Sequence, residues 1–335
     1  MFEELKGKKV LFISTKNLDY LRNTQEIRLL AEQAFQLDVI AFPDKSYPLR
    51  LMKVFWKLLR ARCRQYQAVF VGFAPQLVVP FWGWKLKKSR LYIDFFISMY
   101  DTLCFDRKKV SPASFLGKRL LGADRRTLSR ADVIVADTRA HGEYFCRELG
   151  ADPDKVKVLY LEADREIYYP HRAERPWEAE GKYVVLYFGS VLPLQGVDIV
   201  LGAAELLKDR KEICFYIIGP VNGKLQAPQG ENIHYIPWLD QKKLSDYIAF
   251  SDLCLAGHFC ASIDKARRTI PGKAYIYRAM EKPMILGDNA ANRELYSDRE
   301  PGIYFVEMGS SAKLAEKIMA IKKERDQNED FFEKN

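Results

Sequence analysis

Residues 187–207 read YFGSVLPLQGVDIVLGAAELL: an apolar run closes on Gly189, the chain turns through Ser190, Pro193 and Gly196, and an amphipathic segment follows. The pattern predicts a strand, a tight loop of small residues and a helix starting near Gly196. Small residues at a strand end let backbone N–H groups approach a phosphate, and the helix N-terminus adds partial positive charge. An ordinary βα turn has the same appearance, so the stretch gives the local fold before it gives a ligand.

The same unit repeats outward in both directions. Downstream, strands are predicted over 212–219, 232–238, 251–257, 282–288 and 302–307, after a first one over 183–189. Upstream lies a separate series over 8–14, 37–42, 68–73, 90–96 and 131–138, with helical stretches such as 23–35 and 113–130 between them. Nearly every strand position is apolar, as strands buried on both faces require. Between the two series, HRAERPWEAEGK (171–182) is polar and aperiodic, and is predicted to be a linker. The expected fold is α/β, with two Rossmann-like, doubly wound domains facing across a cleft. The first covers 1–170 and the second 183–310, with a C-terminal helix over 311–335 returning towards the first domain. Ligands of such sheets bind at the carboxyl ends of the strands.

Composition narrows the class. A chain of 335 residues with 48% hydrophobic and 29% charged residues can bury two cores and is not of the disordered type. No run nears the roughly 18 apolar residues that span a bilayer. The start, MFEELKGKKVLFIST, passes directly into a strand and does not read as a secretory signal. Six scattered cysteines without C-x-x-C spacing are expected to be reduced thiols of a cytoplasmic protein. The four histidines share no ligand spacing, so no metal is expected.

The net charge of +9 is unevenly spread: eleven basic residues and no acid lie from Lys45 to Arg90. Within that span, residues 47–66 place Leu51, Val54, Phe55, Leu58 and Leu59 at helical spacing, beside Arg50, Lys53, Lys57, Arg60 and Arg64. Such a helix suits an anionic membrane surface at the inner face of the membrane, or else packs its stripe on its own sheet. No nucleic-acid motif accompanies the charge, and nucleic acid is not expected as a partner.

A second constellation follows a strand end. Lys265, Arg267, Arg268 and Lys273 gather within nine residues, and Pro271–Gly272 leads into a helix near Lys273. Fixed cations beside a helix N-terminus suit a diphosphate and the charge it gains as a leaving group. In GDNAANREL (287–295), Asp288 is a candidate helix cap, and Glu294 either meets sugar hydroxyls or is a surface carboxylate.

These segments resemble the family 4 GT-B glycosyltransferases. YFGSVLPLQGVDIVLGAAELL is similar to the family's donor loop and helix, and IPGKAYIYRAMEKPMILGDNAANREL to its P-x-K-x-x-E-x-x-A-x-G-K-P-V-I … E-L segment. The resemblance implies a nucleotide-sugar donor, no cofactor or metal, and transfer with retention. By position it marks Gly189, Ser190 and Gly196 as donor-loop residues, Lys273 as a phosphate neighbour and Glu294 as the glutamate at the start of the helix after the last donor strand. Gln195, Lys265, Arg268 and Asp288 are donor-side candidates from their own place beside these residues. The chain departs from the pattern in four places. The first glutamate of the family's pair has no counterpart near His258–Ser262. Gln195 stands where a lysine is common, Ile276 where a glutamate meets the ribose, and Glu281 where a glycine is usual.

In the first domain, residues 93–114 follow a strand end and hold Asp94, Asp101, Asp106 and Arg107, candidates for the acceptor side together with His141. Asp101 is the candidate for orienting the acceptor hydroxyl or taking its proton, with Lys273 and Arg268 the catalytic cations. Arg22 and Asn17 lie in the loop after the first strand, without spacing that assigns them. The expected activity is sugar transfer from a nucleotide diphosphate sugar to a glycan precursor, the basic helix suggesting a lipid-linked one in cell-envelope polysaccharide assembly. A non-catalytic sugar- or partner-binding module and a sugar-nucleotide epimerase are the alternatives.

Overall fold

Short apolar strands separated by helices can bury both faces only in a covered parallel sheet. The computed structural model describes residues 2–221 and 225–333, with side chains up to 328, and contains two such sheets of six strands each. The chain divides into two compact units, 1–162 and 163–335.

The first unit runs β1 (Lys9–Ile13), α1 (Leu21–Gln33), β2 (Gln36–Ile40), α2 (Tyr47–Arg60), β3 (Ala68–Val71), α3 (Val79–Leu86), β4 (Arg90–Asp94), α4 (Phe115–Arg130), β5 (Val133–Ala136), α5 (Arg139–Leu149) and β6 (Val156–Val158). Its strands lie in the order β2-β1-β3-β4-β5-β6, all parallel. Period-two alternation serves both faces. Leu11, Ile13, Val69, Val71 and Ile93 enter one core, while Val10, Phe12, Phe70 and Tyr92 enter the other.

The second unit runs β7 (Tyr183–Phe188), α6 (Val197–Leu206), β8 (Ile213–Ile218), β9 (Ile233–Ile236), α7 (Gln241–Phe250), β10 (Leu253–Gly257), α8 (Lys265–Arg268), α9 (Gly272–Ala279), β11 (Met284–Gly287), β12 (Ile303–Val306) and α10 (Ser311–Glu333). The order is β12-β11-β10-β7-β8-β9, again parallel. The helix α10 packs on α6 and β12 of this same unit. Each sheet ties a central strand with an aspartate that precedes the next strand over. Asp132 accepts from Leu91 N at 2.7 Å, and Asp252 from Val184 N at 2.7 Å.

Two expectations need correction, and one strand was not expected. The units divide at 162/163 rather than at 170, and the segment 171–182 is no free linker. His171 pairs with Asp246 at 3.1 Å, Arg175 donates to Asp252 at 2.6 Å, and Ala179 is fully buried. Its polar composition reflects side chains bonded to the second unit. The edge strand β6 escaped notice because it has only three residues and exposes its central Lys157.

Candidate functional site

In the second sheet the chain leaves β7 towards β8 and β9, but leaves β10 in the other direction, towards β11 and β12. Adjacent strands whose connections diverge create a crevice at their carboxyl ends. Here β7 passes into Gly189 (φ +146°) and β10 ends on Gly257 (φ +90°). Lys273, second residue of α9, reaches between them. A Cβ on Gly189 would lie 3.2 Å from its Nζ, and one on Gly257 would lie 3.0 Å from Nζ and 2.7 Å from Gln195 Oε1. Side-chain-free backbone at both strand ends is what leaves room for the ammonium.

Lys273 Nζ donates to Gln195 Oε1 at 2.5 Å and lies 3.5 Å from the Tyr187 hydroxyl and 4.5 Å from that ring's centroid. The residue is only 6% exposed, and among the described residues no carboxylate partners it. Burying an ammonium without a counter-ion is costly, and the group responds by releasing its proton. Desolvation accordingly pushes the Lys273 ammonium down to about 7. The site is short of one negative charge.

The loops around it are fixed by backbone contacts. Phe259 N donates to Gln195 O at 3.2 Å, joining the loop after β7 to the loop after β10. Gly196 begins α6 in the left-handed region (φ +67°), and a Cβ there would meet Cys260 N at 2.7 Å. No side chain caps this helix start. After β10, the buried His258 donates from Nδ1 to Thr269 O at 2.8 Å, and Thr269 Oγ1 donates to Lys265 O at 2.9 Å. The basic segment is thereby folded into α8, with Lys265 and Arg268 half-buried and Arg267 exposed. Ser190 is exposed beside the loop.

An anion site at a switch point of a doubly wound sheet is what a nucleotide-binding domain requires. Residues 182–324 match the family described as Glycosyl transferases group 1. The second unit belongs to this family. The D-inositol 3-phosphate glycosyltransferase of Segniliparus rotundus is 28% identical over 119 residues, covering 34% of this chain and 26% of the relative. A protein of the cps region of Klebsiella pneumoniae is 24% identical over 190 residues, 55% of this chain and 51% of the relative. The match thus spans about a quarter to a half of these relatives' length. Among solved structures, sucrose-phosphate synthase from Thermosynechococcus elongatus superposes with a TM-score of 0.67 at 12% identity, covering 94% of this chain and 90% of that one. Anabaena HepE, solved in complex with UDP, gives a TM-score of 0.64 at 13% identity, covering 95% and 90%. The fold is GT-B.

Within this group 1 domain the departures have visible consequences. Ile276 is buried, so no carboxylate stands at that point of α9. Glu281 occupies the left-handed region (φ +54°) at the end of α9, where Lys282 N donates to Tyr277 O at 2.9 Å and Glu281 N to Arg278 O at 3.1 Å. That pair of bonds is a Schellman closure, which glycine makes without strain. Asp288 is not a helix cap. It is exposed and holds Arg293 through bonds of 2.6 and 3.0 Å, and this ion pair keeps its carboxyl below the usual range. The buried Asn289 caps instead, accepting from Asn292 N at 2.9 Å, and the segment forms a short 3-10 turn, Asn292–Glu294, rather than a helix. Glu294 is half-buried on that turn.

In the first unit, Asp94 ends β4 fully buried and takes a bidentate pair from Arg22, at 3.1 and 2.9 Å. Glu26 lies 3.3 Å from the same guanidinium and is fully buried. Burial first, and Asp94 second, push its carboxyl well above the usual range. His141, also fully buried, meets Asp137 at 2.6 Å. Burial raises the Asp137 carboxyl, but His141 and Arg22 outweigh it and hold it below its ordinary value. Asp137 also feels the Arg22 charge, so the Arg22–Asp94 pair and the Asp137–His141 pair lie within electrostatic reach of each other. Asp101 and Asp106 are buried on a separate wide helical turn, and Arg107 is exposed. The sequence did not reveal Asp124, which holds that loop by accepting from Ser98 Oγ at 2.6 Å, Gln76 Nε2 at 2.9 Å and Tyr100 N at 3.0 Å. Glu26 was not read from the sequence either; its i,i+4 spacing from Arg22 is the signal that could have found it.

Proposed function

We propose that this chain transfers a sugar from a nucleotide diphosphate sugar to a glycan precursor, with retention of configuration and without a metal. The observation that carries this is the buried Lys273 ammonium, without a carboxylate partner among the described residues, between the tips of β7 and β10. A diphosphate there supplies the missing charge. As the sugar–phosphate bond breaks, negative charge grows on the leaving group, and a fixed cation stabilises that state more than the ground state. Lys265 and Arg268 on α8 are assigned as further cations for the diphosphate. The departing phosphate oxygen takes the proton of the acceptor hydroxyl. Acceptor-side roles are assigned to the first unit, to Asp94, Arg22, His141 and Asp101. A lipid-linked acceptor at a membrane surface fits the basic span around α2. Support also comes from the group 1 membership of the second unit and from the fold likeness to HepE, solved with UDP-glucose.

Incubation of the purified protein with uridine, guanosine and thymidine diphosphate sugars, with and without a chelator, tests the proposal. Release of nucleoside diphosphate that depends on an acceptor and survives chelation is the expected result. The buried Ile276 favours a second reading, a donor-binding module without turnover. Saturable binding with no product would establish that one, and absence of any nucleotide binding would remove both.

A further inference from the structure

The helix α2 carries two apolar stripes, and its own core uses only one. Val54 and Leu58 are fully buried, as the helical spacing predicts. Leu59, placed in the same stripe by sequence, is 55% exposed, and it joins Met52 (62%) and Trp56 (58%) on another face. With Leu49, these residues fall within about 80° on a helical wheel of 100° per residue. The neighbouring α3 adds Phe81 at 61% and Trp84 at 64% exposure. The two helices are fastened together. Phe55 packs on Phe81 and Trp82 with ring centroids 5.9 and 5.7 Å apart, and Lys85 Nζ donates to Leu58 O and Leu59 O at 2.8 and 2.6 Å. A trough of about 490 Å³ runs along this face, lined by Met52, Lys53, Phe55, Trp56, Leu59 and Trp82.

Cations surround the face. Lys57, Arg60, Arg62, Arg64, Lys87 and Lys88 are exposed and have no acidic partner among the described residues, and Arg60 lies 3.6 Å over the Trp56 ring. We propose that α2 and α3 together form a docking face for an anionic lipid bilayer, inserting Trp56, Trp84 and their apolar neighbours below the headgroups. It rests on the membrane-surface reading above, but not on any donor chemistry. Exposed tryptophans on an apolar face ringed by lysine and arginine match the apolar boundary and the negative surface of such a membrane. A second copy of the chain is a poor occupant, because a twofold contact would set this acid-free span against itself.

Co-sedimentation with phosphatidylcholine vesicles, with and without phosphatidylglycerol, tests the face. The wild-type chain is expected to pellet only with the anionic vesicles at about 0.1 M salt and to be released near 1 M, as the screening length falls from roughly 10 to 3 Å. The exposed-site double variant Trp56→Ser/Trp84→Ser should lose roughly tenfold or more in vesicle partition, and Lys57→Glu/Arg60→Glu a comparable amount. Thermal shifts with a nucleotide sugar should be the same for all three proteins, which separates failure of the face from failure of the donor site. The proposal is overturned if the wild type stays in the supernatant with anionic vesicles at low salt. It is equally overturned if the tryptophan variant pellets as well as wild type, or if the face drives concentration-dependent dimers that the variant abolishes.

Discussion

With burial bringing the Lys273 ammonium down to about 7, the proposed binding of a diphosphate donor should depend on pH in a calculable way. At pH 8 about nine-tenths of the free protein holds Lys273 neutral, and at pH 6 about one-tenth does. A diphosphate placed against the amine restores the proton, lifting the group back towards its ordinary range in the complex. Binding should then take up about 0.9 proton at pH 8 and about 0.1 at pH 6, with affinity roughly tenfold weaker at the higher pH. The diphosphate of a nucleotide sugar has no ionisation of its own in this range. Gln195 does not ionise, and burial pushes the Tyr187 phenol further up, away from the window. Calorimetric titration in two buffers of different ionisation enthalpy reads both quantities. In Lys273→Met the proton uptake should vanish and the residual affinity should be independent of pH. The unliganded protein gives an independent check. Because the folded-state value lies below the usual 10.5, the contribution of Lys273 to stability is present above about 10.5 and lost as pH falls to about 7. Lys273→Met should therefore be the more stable protein below pH 7, by on the order of a few kcal/mol, with the advantage shrinking towards pH 10. A wild type that binds with no proton uptake at pH 8 would refute this account.

Two further outcomes follow from the same corner of the fold. Gln195→Glu places a carboxylate where Oε1 now meets the Lys273 ammonium at 2.5 Å; thermal melts should show a stabilised free protein, and calorimetry a donor affinity at least tenfold weaker. Glu281→Gly relieves the left-handed position that closes α9 and should raise stability by about 1 kcal/mol in urea unfolding, whereas no gain would mean that the Glu281 backbone carries no strain.

Strand positions were the most legible part of the sequence. All eleven expected strands appear within two residues of their predicted bounds, because a strand buried on both faces has little freedom in composition. The place of Lys273 at a helix start was legible too, since Pro271–Gly272 leads into that helix. Its burial was not, because that depends on Gly189 and Gly257 ending neighbouring strands that are far apart in the chain. The same limit applies to Asp94, whose partner Arg22 is 72 residues away. Asp288 was misassigned to a cap because Asp and Asn have similar capping propensity, and only the fold shows that Asp288 is engaged by Arg293 while Asn289 turns inward. On α2, periodicity marked the apolar residues but could not say which stripe the core would take.

The departures at Gln195 and Ile276 reduce the charge at the donor corner, yet they do not make it indifferent to anions. A cation on an exposed loop attracts a phosphate through water, where its interaction is weak and screened. Lys273 is already stripped of water by Tyr187, Gly189 and Gly257, so most of the desolvation cost is borne by the folded protein before any ligand arrives. Gln195 holds the amine through one neutral acceptor and also carries an amide N–H₂, which suits it to donate to a phosphate as the ammonium turns to it. A neutral residue is then better placed here than a second lysine, which would repel the first across 2.5 Å and drive its proton off. One buried amine with a neutral acceptor would thus do for a diphosphate what a more basic loop does through net charge, and pH-dependent binding is the outcome expected of a site built in this way.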